Sequence, residues 1–165
     1  MTAVKSRSQL GRMSRNKGAK AERDLVAYLR LVGFGGAERA VRTGYRVAGR
    51  VAADPGDVTG TPGIVWSVKD ATVERLTDWL NELDTMDAGG PYVPTRLLVH
   101  KRRGHAAPAR WFCWLWLDDL MFLIAEERPI RVGTEHVSVP VRMELGHVIP
   151  LLHAAGYGDP TEETA

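Results

Sequence analysis

Three side chains in this sequence have the types and spacing to act on a phosphodiester. Asp57 stands in Gly56-Asp57-Val58, at the end of one apolar segment. Lys69 closes a second, Ile64-Val65-Trp66-Ser67-Val68-Lys69, after the turn Thr59-Gly60-Thr61-Pro62-Gly63. Glu22 lies upstream among Lys17, Lys20 and Arg23. Hydrolysing a phosphodiester requires stabilised charge on the phosphate, a hydroxide, and help for the departing oxygen. A Mg²⁺ ion held by a few carboxylates, with waters left in its shell, supplies all three. A lysine beside the attacking water adds a positive charge. The minimum set is therefore two or three acidic groups and one lysine converging on a strand end.

Each of these residues also has an ordinary role. An aspartate after Pro55-Gly56 is equally suited to satisfying backbone donors of a turn. A lysine ending an apolar strand is often its solvated tip. Glu22 can pair with bases three or four residues away on a helix, an interaction worth little. Strand alternation raises Lys69 above that background. In an extended Ile64–Lys69, Ile64, Trp66 and Val68 face one way, and Val65, Ser67 and Lys69 the other. Ser67 and Lys69 then share a face with Asp57.

The elements that must position these residues are readable from periodicity. Residues 1–14 are polar and basic without an apolar period and are expected to form a flexible arm. Ala21, Leu25, Leu29 and Val32 define one face of a helix from Asn16 or Lys17 to Val32, capped by Ser14 or Asn16 and ended by Gly33. Residues 33–52 are rich in glycine and arginine, with a strand around Ala37 to Val41. Short strands are predicted near Asp57–Val58 and at Ile64–Lys69. Thr72 to Met86 has a helical period through Val73, Leu76, Leu80 and Leu83. Arg96–His100 reads as a strand. Lys101-Arg102-Arg103-Gly104 is a basic turn. Arg110–Leu117 reads as a strand buried on both faces, followed by a short helix to Ile124 or Ala125. A strand over Val137–Met143, a helix over Leu145–Ala155 and a frayed tail from Gly156 complete the chain. The predicted fold is α/β, a mixed central sheet flanked by helices. The domains are a basic arm (1–14), a main domain (15–125), and a C-terminal strand-helix appendage with its tail (126–165).

Composition bounds the partners. The 165 residues suffice for one domain with a core. No apolar run approaches the roughly 20 residues that span a bilayer, so no membrane association is expected. The basic N-terminus lacks the apolar core of an export signal. A lone cysteine, Cys113, excludes an internal disulfide framework and fits a reducing cytoplasm. Net charge is only +2, but residues 1–50 hold 12 Lys/Arg and 3 Asp/Glu, a net of +9. The rest holds 10 and 17, a net of −7. A basic first half points to a polyanion such as nucleic acid. Arg15, Lys17, Lys20, Arg39, Arg42 and Arg46 are the candidate phosphate-binding residues.

One order of short motifs carries a resemblance. Lys17-Gly18-x-x-x-Glu22-Arg23-Asp24-Leu25, Gly33-Phe34, Arg39-Ala40-Val41-Arg42-Thr43-Gly44, Gly56-Asp57-Val58 and Ser67-Val68-Lys69 follow one another. Together they resemble the archaeal-type and phage Holliday junction resolvases of the PD-(D/E)xK nuclease superfamily. The likeness spans roughly residues 15–125. It implies a restriction-endonuclease-like fold and a homodimer that binds branched or duplex DNA and cuts it with Mg²⁺, or with Mn²⁺. It also implies work in the cytoplasm, the host's if the chain is phage-encoded. Carried over singly, Glu22 matches the first-helix glutamate, expected as a metal or metal-water ligand, Asp57 the metal aspartate and Lys69 the catalytic lysine. Arg39 or Arg42 matches an arginine used near DNA.

Ser67 departs from the pattern, standing where the second metal carboxylate is expected. Serine can hold the metal through a water, with the backbone carbonyl of Val68 as a further ligand. A carboxylate can come from elsewhere, Glu74 rather than Asp70, which faces away on a regular strand. Or the metal site is impaired and the protein binds DNA without cutting it well. Three expectations follow: a junction resolvase, a non-catalytic or weakly catalytic DNA-binding module with the same fold, and a nuclease on other DNA structures. The five histidines have no zinc spacing. Trp111, Trp114 and Trp116 read as core rather than as base-stacking platforms.

Overall fold

The computed structural model describes residues 7–40, 46–47, 50–51, 54–87, 93–125 and 139–160. The architecture is α/β, with four helices among the described residues around a six-stranded mixed sheet.

Helix α1 (Arg7–Leu31) begins earlier than its apolar period. Residues 7–14, expected in a flexible arm, are helical, so neither Ser14 nor Asn16 caps the start. Periodicity marks a helix only where apolar side chains recur on one face, and residues 7–14 carry no such period. That packing face is the predicted one: Ala21, Leu25 and Leu29 are fully buried. Gly33 ends the helix at φ +95°, and the Phe34 N–H donates to the Leu29 carbonyl at 2.9 Å. This is the closing bond of a left-handed glycine cap.

The sheet runs β1 (Glu38–Arg39), β4 (Val58–Thr59), β5 (Ile64–Lys69), β6 (Thr95–His100), β7 (Phe112–Trp116) and β8 (Pro140–Glu144). β5 and β6 are parallel, Ile64 opposite Thr95 and Lys69 opposite His100. The other neighbours are antiparallel. β2 (Arg46–Val47) and β3 (Arg50–Val51) form a separate pair. Helix α2 (Leu76–Asp84) makes the crossover that a parallel pair requires. It is shorter than predicted, since Thr72–Arg75 are not helical.

Alternation along β5 divides the core into two layers. Ile64, Trp66 and Val68 join Leu97 and Val99 of β6 under α1 and α4 (Leu145–Ala154). Val65 joins Leu98 under α2, against Trp79, Leu80 and Leu83. β7 continues the division: Cys113 and Leu115 lie in the first layer and Trp116 in the second. Burial of Cys113 pushes its thiol pKa up, as expected of an inert core residue. The strand is not closed on both faces, because Phe112 and Trp114 are half-buried. The Arg142 guanidinium covers their rings at 4.6 and 5.4 Å.

The C-terminal strand and helix are built into the main sheet and core rather than appended. β8 pairs with β7 along its whole length, from Pro140 opposite Trp116 to Glu144 opposite Phe112. Leu145, Val148, Ile149 and Leu152 of α4 share the cluster with Leu25 and Leu29 of α1. The residues after Gly156 do not simply fray. The Asp159 N–H donates to the Gly33 carbonyl at 2.8 Å, and the Tyr157 and Thr95 hydroxyls are 3.1 Å apart. Helix α3 (Leu117–Ala125) adds Leu123 to the core. No helix among the described residues is long and apolar enough to cross a membrane.

Candidate active site

Asp57 is positioned by the turn before it. Asp54 accepts the Gly56 N–H at 2.9 Å, closing a local Asx turn. Gly56 takes φ +89°, and a Cβ there would meet the Trp66 carbonyl at 2.5 Å. Only glycine lets the chain pass this close to β5. The Asp57 N–H then donates to Trp66 O at 2.7 Å, and its carbonyl accepts the Ala40 N–H at 3.0 Å. Pairing of β4 with β5 is confined to Val58 opposite Trp66. Farther along β5 the carboxylate takes over from a strand, accepting the Val68 N–H at Oδ2 at 2.7 Å. Asp57 is only 6% exposed. It does satisfy a backbone donor, but one on β5 rather than one in its own turn.

That bond fixes a second group. In an extended strand the N–H and C=O of one residue leave toward the same edge. The Val68 carbonyl therefore points to the edge of Asp57. The Lys69 carbonyl points the opposite way, to the Lys101 N–H at 2.9 Å. A side-chain oxygen and a backbone oxygen thus share one edge of β5.

Ser67 and Lys69 face the α2 layer, as alternation requires. Ser67 is fully buried, and its hydroxyl has no hydrogen-bond partner among the described residues. Leaving such a group unpaired costs about 1–3 kcal/mol, and native structures keep one chiefly where a water, an ion or a functional role accounts for it. The Lys69 ammonium pairs with Glu82 of α2 at 2.6 Å. Glu82, not Glu74, is the carboxylate that α2 brings to this strand end. Glu74 lies before α2 and stands 3.5 Å from His100 Nδ1, while His100 Nε2 bonds the Ala71 carbonyl at 3.1 Å. Helical phase explains the choice. Glu82 lies one turn from Trp79 and beside Leu83, both buried, at the rim of the packed face.

Glu22 sits on α1, on the other side of the sheet, and forms an ion pair with Arg39. Arg39 is opposite Val58 and precedes Ala40, which bonds Asp57. Glu22 is therefore linked to the Asp57 segment through an arginine. Among the described residues, no three or more His, Cys, Asp or Glu side chains converge as a metal-holding group. Asp70 faces away from Ser67 and Lys69 as expected, toward Lys101 at 3.8 Å. Lys17 is exposed on α1, and Lys20 pairs with Asp24 one turn later at 2.6 Å. Arg15 lies in α1 and Arg46 in β2. Arg42 lies outside the described residues.

Sequence reasoning missed Glu82 and the role of Lys101. The signal for Glu82 was the position of an acid beside the buried face of α2. No local signal pairs Lys101 with Asp24 and Asp70, because sheet order alone brings those segments together. In comparisons with family models, with curated proteins and with solved structures, nothing matches the chain.

Proposed function

We propose that this chain is a metal-dependent, structure-selective DNA endonuclease with a restriction-endonuclease-like fold, a homodimer acting on four-way junctions. The observation that carries the reading is the edge of β5. There the buried Asp57 carboxylate and the Val68 carbonyl lie together, and the same strand ends in Lys69. The basic first half supports a polyanionic substrate.

The residues fit Mg²⁺ in a sparse site. That ion commonly takes one or two carboxylates, keeps several waters, and finishes its shell with substrate phosphate oxygens. Asp57 and the Val68 carbonyl would hold it, and the unpaired Ser67 hydroxyl is suited to a water-mediated contact. When bound, the ion neutralises charge on the phosphate and acidifies a water. Lys69 presents its ammonium at the strand end and stabilises negative charge on the phosphate. Glu82 positions that ammonium. Arg39 ties Glu22 of α1 to the strand beside Asp57 and keeps its own charge near the passing DNA.

A second reading is favoured by Ser67. A fully buried serine replaces the expected carboxylate, so the same surface can bind DNA and cut it poorly. Labelled four-way junctions, flaps, nicked duplexes and linear duplexes, each with Mg²⁺, Mn²⁺ or a chelator, separate the two. The nuclease reading expects metal-dependent cutting with the junction preferred. Binding without cutting under either metal would leave the DNA-binding module. Strong cutting of flaps or nicks alone would move the substrate to another DNA structure.

A further inference from the structure

Beyond the end of β5 the molecule has a cleft that the candidate active site does not use. It measures about 390 Å³ and lies between α1 and the turn after β6. Lys20 and Asp24 line it from α1, Asp70 from the residue after Lys69, and Lys101, Arg102 and Arg103 from the turn. Four cations thus face two carboxylates. Gly104 in the turn has φ +78°, and nothing lies within 4 Å of where its Cβ would be, so the rim is open.

Lys101 is the informative residue. Its ammonium lies over the Trp111 ring, 5.2 Å from the ring centroid. Its side chain is only 22% exposed, and the ammonium stands 3.7 Å from Asp24 and 3.8 Å from Asp70. Those distances attract but exceed a hydrogen bond. Among the described residues the ammonium donates no hydrogen bond, so three N–H donors are held in place and unspent. Arg102, by contrast, donates to Glu144 at 3.0 Å, and Arg103 donates to the Thr72 hydroxyl. A half-buried cation oriented by two acids, with open donors and two guanidinium groups beside it, suits a tetrahedral oxyanion.

The cleft adjoins the candidate site through the backbone, on the opposite face of the same strand end. The Lys101 N–H bonds the Lys69 carbonyl. Lys69 and Asp70 are consecutive in an extended chain, so their side chains leave to opposite faces. A DNA strand carries one phosphate per about 3.4 Å of helix axis, so a strand bound at Lys69 brings further phosphates past this end of β5.

We propose that this cleft grips a backbone phosphate of DNA flanking the position served by Lys69, with Lys101 as its central donor and Arg103 at its rim. This rests on the nuclease reading for the identity of the polyanion. The test measures binding of a labelled four-way junction in chelator across a salt series, for the wild-type protein, Lys101→Gln and Arg103→Gln. Melting curves check folding, and Lys101→Arg serves as the charge-retaining variant. Arg103 is exposed, so its substitution keeps the test alive should Lys101→Gln unfold. The expected result is weaker binding for both Gln variants, on junctions of any base sequence. The slope of log K against log salt should be shallower by about 0.9 for each phosphate that the variant no longer neutralises, and Lys101→Arg should recover most of it. Wild-type slopes in both Gln variants would overturn the cleft while leaving the nuclease reading intact. Shallower slopes in a protein that cuts nothing with Mg²⁺ would sustain the cleft and remove the nuclease. No binding by the wild type would remove both.

Discussion

The two ends of the parallel pair β5–β6 are built from different chemistry. At the amino ends the groups are neutral and paired. Thr95 N–H donates to the Gly63 carbonyl at 2.9 Å, and the Trp66 indole N–H donates to the Thr61 hydroxyl at 3.0 Å. The Tyr157 hydroxyl meets that of Thr95, and Asp159 bonds Gly33, drawing the end of α1 and the residues after α4 together. At the carboxyl ends the groups are charged: Asp57, Lys69, Glu82, Asp70 and Lys101 gather within a few residues of one another. Ligands of open α/β sheets bind outside the carboxyl ends of parallel strands. The same two strands thus serve folding at one end and, in the proposed function, chemistry at the other. The difference predicts that substitutions at the two ends fail in different assays.

The largest effect belongs to the carboxyl end. Lys69→Ala is expected to lower junction cleavage by about 10²–10³-fold, the usual cost of removing one charge-stabilising group. Its melting temperature should barely move, because the Lys69–Glu82 pair is partly exposed and such pairs contribute about 0–1 kcal/mol. Cleavage that survives this change would place the chemistry elsewhere.

Gly33→Ala is expected to reverse the pattern. A Cβ at φ +95° would meet the Asp159 carbonyl at 1.9 Å. The left-handed conformation alone costs roughly 1–2 kcal/mol for a residue with a side chain, and Asp159 must also be displaced. Urea unfolding should show a destabilisation of about 2 kcal/mol, with cleavage per folded molecule unchanged. Tyr157→Phe, which removes one hydroxyl bond, should cost about 1 kcal/mol and leave cutting alone. A Tyr157→Phe protein that no longer cuts yet keeps its stability would break the comparison between the two ends.

The sequence made some of this division legible. The alternation of β5 put Trp66 and Val68 on one face and Ser67 and Lys69 on the other, and the two core layers follow it. Apolar period found the packed face of α1, and Gly33 marked its end. It could not find the polar beginning of α1, where the sequence has no apolar period. Nor could it find Tyr157 against Thr95, or Asp70 against Lys101, since these pairings depend on sheet order rather than on local pattern. Strand alternation favours Glu74 over Asp70, which faces away, but alternation says nothing about which acid of the next helix reaches Lys69. Glu82 reaches Lys69 because α2 starts late, at Leu76, and its phase turns that acid to the strand end.

Asp57 decides the central claim most directly. Asp57→Asn preserves size and an oxygen able to accept the Val68 N–H, so the local fold should hold. Junction cleavage in Mg²⁺ should be measured for this variant and the wild type, with junction binding in chelator and melting beside it. The expected result is cleavage abolished, with binding and melting close to wild type. Cutting by Asp57→Asn at the wild-type rate would contradict the assignment of the β5 edge as the active site.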